Sequence, residues 1–132
     1  QQQQALNKPI TFAEIQEAIN DIPSGKAAGP DGFPPEIYKE FKDIFTPLIS
    51  KRYEYSFLNK KLPESTQTAA ITLIPKPGKN PEEPSSYRPI SLQWVENKIL
   101  AKLLAKRLNP ILPPSSGMIK QDLCKVITLK LM

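Results

Sequence analysis

Residues 71–92 read ITLIPKPGKNPEEPSSYRPISL, and this stretch decides the architecture. Both ends are apolar and β-branched, which is strand character. Between them Pro75, Pro77, Gly78, Pro81 and Pro84 interrupt any regular element. The reading is a hairpin with a long, stiff tip. One strand covers about 69–74, and 90–92 can pair with it. Arg88 precedes a proline, so it is held away from helical backbone. Pro89 has no N–H for a ladder and must lie at an edge or a strand start. Lys76 and Arg88 then stand at the two stems, with Lys79 in the tip.

Outward from the hairpin the periodicity turns helical. Residues 11–22 carry Ile15, Ala18, Ile19 and Ile22 on one face. Thr11 is an N-cap, and Glu14 three residues on completes a capping box. Pro23 stops this helix. Gly29-Pro30-Asp31-Gly32 is a turn signal, and Pro34-Pro35 suits the first turn of the next helix. There Ile37, Phe41, Ile44 and Leu48 form a stripe that Pro47 is expected to break or bend. A further helical stretch runs through Ile49, Tyr53 and Phe57 to about Leu62-Pro63. The last clear helix spans VENKILAKLLAKRLNPIL, with Ile99, Leu100, Leu103, Leu104 and Leu108 apolar. On it Lys98, Lys102 and Lys106, at i, i+4 and i+8, make one basic row. Residues 125–131, KVITLKL, have the composition of a strand. The fold class is therefore α+β, mainly helical, with one small antiparallel hairpin.

The chain has 132 residues, enough for one domain. Its 15 prolines are about twice the usual share of roughly 5%, so short, interrupted elements are expected. The absence of histidine excludes imidazole bases and histidine metal sites. The single cysteine, Cys124, excludes an internal disulfide or a cysteine zinc site. No apolar run reaches the roughly 20 residues of a membrane span, and there is no signal or transit pattern. An intracellular location, nucleus or cytoplasm, away from membranes, is expected. Residues 1–9 are expected to be a disordered tail.

The net charge of +5 is lopsided. Residues 1–70 hold 8 Lys/Arg and 9 Asp/Glu, whereas residues 71–132 hold 10 and 4. Such asymmetry is compatible with plain solubility or with a polyanion partner, most often nucleic acid. The acids do not converge: Asp31 sits in a turn, Glu82 and Glu83 at the hairpin tip, Glu96 at a helix start and Asp122 near the end. No catalytic residue and no metal site is assigned. Phosphate chemistry has one candidate place. Lys76 and Lys79 flank Gly78 in the loop and Arg88 lies opposite, a point charge and a bidentate fork on a stiff arm. From spacing alone, ordinary surface charge is the simpler explanation of the same residues.

Three blocks taken together are more specific. KAAGPDGFPPEIYKEF (26–41), LIPKPGKNPEEPSSYRPISL (73–92) and NKILAKLLAKRLNPIL (97–112) occur in this order. They resemble K-x-x-G-P-D-G-x-P-x-E-x-Y, I-P-K-P-G-K…Y-R-P-I-S-L and K-I-x-x-K-x-L-A-x-R-L of the reverse transcriptases of non-LTR retrotransposons, the long interspersed element type. The resemblance covers about residues 10–119 and implies the fingers and the start of the palm of a right-hand polymerase. It implies that Lys76 and Arg88, with Lys79 as a third, meet the triphosphate of the incoming nucleotide. It also implies that Lys26, Lys98, Lys102, Lys106 and Arg107 lie near the template or primer backbone. RNA template, DNA primer and dNTP would be partners in the complete enzyme, and Mg²⁺ a cofactor only there.

Departures from the pattern set further expectations. Gln93-Trp94 and Glu96 stand where the family reads S-L-L-N-x-D-x-K. After residue 119 the family's D-Q-x-G-F pattern is lost, so 120–132 reads as a divergent, frameshift-like end. The family's catalytic aspartates, including its F/Y-A-D-D turn, find no match in this sequence. The expectation is a fingers region inactive on its own. The alternatives are a non-catalytic nucleic-acid-binding module and a relic of a transposable element.

Overall fold

The computed structural model describes residue 4 and residues 6–112. The expected strand at 125–131, the divergent end and Cys124 lie outside the described residues. Among the described residues from 12 to 108, four α-helices and two strands follow one another: α1 (Phe12–Asp21), α2 (Pro35–Glu40), α3 (Lys42–Asn59), β1 (Ala70–Pro75), β2 (Tyr87–Leu92) and α4 (Val95–Leu108). Single 3₁₀ turns at Glu64–Thr66 and Pro84–Ser86 precede β1 and β2. The described residues are mainly helical with one antiparallel two-stranded sheet.

The α1 helix forms as its residues require. Thr11 Oγ1 accepts from the Glu14 N–H at 3.3 Å, and Glu14 Oε2 accepts from the Thr11 N–H at 3.0 Å. This reciprocal pair satisfies two donors that a helix start otherwise leaves open. Ile15, Ala18, Ile19 and Ile22 are all buried. They meet Val95, Ile99, Leu100 and Leu103 of α4, Tyr38 of α2, and Ile49 and Tyr53 of α3 in one core. Each fully buried aliphatic side chain there stabilises by roughly 1.5–3 kcal/mol.

The stripe expected from residue 37 onward is out of phase with the structure. Phe41, Ile44 and Leu48 are at least half exposed. The cause is Phe41 itself, which leaves helical backbone (φ −107°, ψ 30°) and ends α2. The chain restarts as α3 with a new phase. Thr46, Ile49, Ser50, Tyr53 and Ser56 face the core instead. Pro47 neither breaks nor ends α3, which continues to Asn59. The helix ends before the expected Leu62-Pro63, at Lys60, whose φ of 54° is left-handed.

The turn block 24–38 is a folding device. Gly32 N–H donates to Gly29 O at 3.0 Å, closing the turn. Asp31 Oδ1 accepts from the Phe33 N–H at 3.2 Å and Oδ2 from the Tyr38 hydroxyl at 3.4 Å. Glu36 accepts from the Gly25 N–H, and that bond holds its carboxyl below the usual range. A Cβ on Gly29 would lie 2.8 Å from both Gln93 O and Trp94 Cα. Only a glycine lets the turn dock on the backbone between β2 and α4.

The connector from α3 to β1 is fastened to α4. Buried Asn97 donates through Nδ2 to Thr66 O at 2.9 Å. Among the described residues no helix is long and apolar enough to cross a membrane.

Candidate nucleic-acid interface

The hairpin pairs Ala70 with Leu92, Thr72 with Ile90, Leu73 with Pro89, Ile74 with Arg88 and Pro75 with Tyr87. The ladder extends one step past the strands, since Lys76 N–H donates to Ser86 O at 2.7 Å. That bond fixes the alternation of the ladder. Residues 74 and 88 form a hydrogen-bonded pair, whereas 73 and 89 form a non-hydrogen-bonded one. Pro89 therefore sits where β1 asks for no N–H. In a two-stranded sheet every strand is an edge, as the sequence required.

The same register settles the faces. Partners across a sheet share a face, and so do residues two apart on one strand. Arg88 shares a face with Ile74, and Lys76 lies two residues beyond Ile74 on that face. The two cations at the stems are thus diagonal neighbours on one side of the arm. Lys76 Nζ donates to Ser85 O at 2.8 Å, which holds its stem over the tip. Lys79 stands in the turn: its N–H donates to Lys76 O at 3.3 Å, and Gly78 supplies the positive φ of 71°. The tip is braced by the Tyr87 hydroxyl on Pro81 O at 2.8 Å and by the Glu83 N–H on Asn80 O at 3.2 Å.

This arm is exposed on both sides. All six β1 residues are exposed, and Ile71 keeps 73% and Leu73 61% of its surface. Its strands pack chiefly on each other, not on the helical core.

The basic row of α4 has three different fates. Lys98 is half-buried, and burial pushes its ammonium pKa down. Lys102 is partly exposed. Lys106 pairs with Glu17 at 2.7 Å and with Asp21, and these bonds raise its pKa. Arg107 is more fully engaged, with its side chain only 10% exposed. Nε and Nη2 hold Glu14 at 2.9 and 2.8 Å. Nη1 donates to Leu6 O and Lys8 O, and Nη2 to Pro9 O, at 2.6–3.1 Å. The tail, expected to be disordered through residue 9, is thus hydrogen-bonded from residue 6. The Arg107 bond is the largest cause holding the Glu14 carboxyl below its usual range. The row is not one continuous free face, because α1 lies across its C-terminal half. Glu14, Glu17 and Asp21 fall at i, i+3 and i+7 on α1, an acidic row that was the legible signal for this pairing. Lys26 lies exposed in the 24–34 loop.

A polar cluster that residue patterns did not reveal joins α2, α3 and α4. Arg52 Nη1 meets Glu96 Oε2 at 2.6 Å, and the Tyr53 hydroxyl donates to Glu96 O at 2.7 Å. Burial pushes the Glu96 carboxyl up in spite of Arg52, and burial likewise pushes up the Tyr38 and Tyr53 hydroxyls. Glu96, expected as a first-turn acid, has this second role. Among the described residues no group of three or more His, Cys, Asp or Glu converges as a metal site.

The chain is 37% identical over 80% of its length to a Drosophila melanogaster protein named "Probable RNA-directed DNA polymerase from transposon BS". It is 33% identical over 81% to the "Transposon TX1 uncharacterized 149 kDa protein" of Xenopus laevis. It is 30% identical over 76% to the "RNA-directed DNA polymerase from mobile element jockey" of Drosophila funebris. The chain is related to the RNA-directed DNA polymerases of non-LTR transposons. It spans only 12%, 8% and 11% of the lengths of these three relatives. No family model matches it. Within this reverse-transcriptase-related segment, the first and third sequence blocks are largely consumed by folding. The hairpin block is not.

Proposed function

We propose that this chain is the fingers region of an RNA-directed DNA polymerase, and that its hairpin meets the triphosphate of the incoming nucleotide. One observation carries the reading: the register sets Lys76 and Arg88 diagonally on one face of an arm that the core does not use. Arg88 supplies a planar fork for two phosphate oxygens, and Lys76 an ammonium held beside the tip by Ser85 O. Lys79, in the tip, is the third contact. Strand backbone of template or primer runs along Lys26, Lys98 and Lys102. Lys106 and Arg107 act chiefly by fastening α1 to α4 and so fix the angle of the helix that presents Lys98 and Lys102.

RNA template, DNA primer, dNTP and Mg²⁺ belong to the complete enzyme. The chain alone is proposed to be inactive. Asp31 is bound to Tyr38 and Glu96 to Arg52, so both serve the fold. Chemistry at phosphorus draws much of its rate from such metals and fixed charges.

The test uses a complete polymerase that carries this segment. Arg88→Ala should raise the KM for dNTP more than tenfold and leave primer–template affinity within twofold. An unchanged KM would contradict the proposal. Purified chain with primer, template, dNTPs and Mg²⁺ should extend nothing, and clear extension would refute the claim of inactivity.

A further inference from the structure

The outward side of α3 ends in a groove that neither the sequence blocks nor the hairpin reading assigns. Lys51, Arg52 and Tyr55 line one wall. The chain reverses at Lys60 in left-handed backbone, and Lys61, Pro63 and Glu64 return as the other wall. The volume of the groove is about 630 Å³, inside the roughly 300–1,000 Å³ of ordinary ligand clefts. Three basic side chains and one carboxylate line it.

The cations are differently held, and the difference is informative. Arg52 is fixed at both ends of its guanidinium, Nη1 on Glu96 at 2.6 Å and Nη2 on Ser65 Oγ at 3.0 Å. It is a rigid wall whose charge Glu96 already balances, which leaves Lys51 and Lys61 to meet a ligand. Lys51 is exposed. Lys61 meets Glu64 at 3.3 Å, and both side chains are more than half exposed. A pair that open to water contributes little and exchanges readily for a phosphate. Between them Tyr55 leaves 52% of its surface free. A cationic groove with an exposed aromatic ring suits the alternating charge and flat bases of a single strand.

We propose that this groove binds single-stranded nucleic acid, with phosphates on Lys51 and Lys61 and a base stacked on Tyr55. The choice of ligand class rests on the polymerase reading, whereas the site is separate from the hairpin. An acidic protein segment would match the charges but gain nothing from the ring.

Fluorescence anisotropy of a labelled 15-nucleotide single-stranded RNA against the full chain tests this. The double variant Lys51→Ala/Lys61→Ala should weaken binding about tenfold. It should also flatten the log Kd against log salt slope by about 0.7 for each phosphate that no longer meets a lysine. Tyr55→Ala should weaken binding about tenfold with the slope unchanged, as expected for one base without its stacking partner. Glu64→Gln should tighten it. A 4-thiouridine RNA should crosslink to the peptide that contains Tyr55. RNA affinity unchanged in both the lysine double variant and Tyr55→Ala overturns the proposal, as does no RNA binding by the wild-type chain. Equal binding of inorganic polyphosphate of matched charge, with Tyr55→Ala silent, overturns the assignment to nucleic acid. The hairpin reading is tested by a separate readout, the dNTP KM of Arg88→Ala in the complete polymerase, so failure of the groove and failure of the hairpin reading give different results.

Discussion

The seam between α1 and α4 and the β1–β2 hairpin are built from similar residues to opposite ends. Both are rich in isoleucine, leucine and basic side chains. In the seam Ile15, Ile19, Ile99 and Leu103 are buried, and Lys106 and Arg107 are matched by Glu17, Asp21 and Glu14. In the hairpin Ile71 and Leu73 face solvent, and Lys76 and Arg88 meet no carboxylate among the described residues. A cation that closes a helix pair is part of the fold. A cation on an unburied arm is available to a ligand. The difference separates residues that keep this chain folded from those it leaves on an exposed arm.

The comparison breaks most readily in the core. Ile99→Ala should destabilise by about 2–5 kcal/mol, the range for a large-to-small change at a packed site. Leu73→Ala on the hairpin should stay within about 0.5 kcal/mol, as exposed substitutions do. Urea unfolding curves of the two variants check this. Equal losses would mean that the arm is packed as tightly as the seam.

Gly29→Val comes next, at about 1–3 kcal/mol for an overpacked contact. Its side chain would have to push the backbone of Gln93 and Trp94 away. A thermal melt unchanged by this substitution would show that the turn does not dock there.

Arg107→Ala is expected to cost about 2 kcal/mol, below the roughly 3–5 kcal/mol of a fully buried pair, because Glu14 remains partly exposed. Its signature lies in the pH dependence. Glu14 titrates in the folded state below its ordinary 4.5. Its contribution is therefore present above about pH 4.5 and is lost as pH falls through the folded value. The wild type should lose stability in that acid window, and Arg107→Ala should show a shallower slope there. Parallel curves would mean that the bond to Glu14 contributes nothing.

Much of the helical frame was legible because its signals are local. Thr11 and Glu14 cap α1 as their spacing demands, and its four apolar residues are buried. Legibility failed where one residue changes the phase. Phe41 interrupts the backbone, and the stripe that reads as continuous through Leu48 turns to solvent. It failed again where partners lie far apart in sequence, as with Arg107 and Glu14, or Arg52 and Glu96. Charge rows on α1 and α4 are each visible, but their meeting is a tertiary event. For the hairpin the residues were evident, and the face they share followed only from the register.

The most direct test is an NMR titration of the chain with a deoxynucleoside triphosphate and with the matching monophosphate. The account predicts that the triphosphate shifts the amide signals of Lys76, Lys79 and Arg88 and leaves the α1–α4 seam unmoved. It also predicts that Lys76→Ala/Arg88→Ala abolishes these shifts without lowering the melting temperature. Shifts that are equal for the two nucleotides, that centre outside the hairpin, or that survive the double substitution would contradict it.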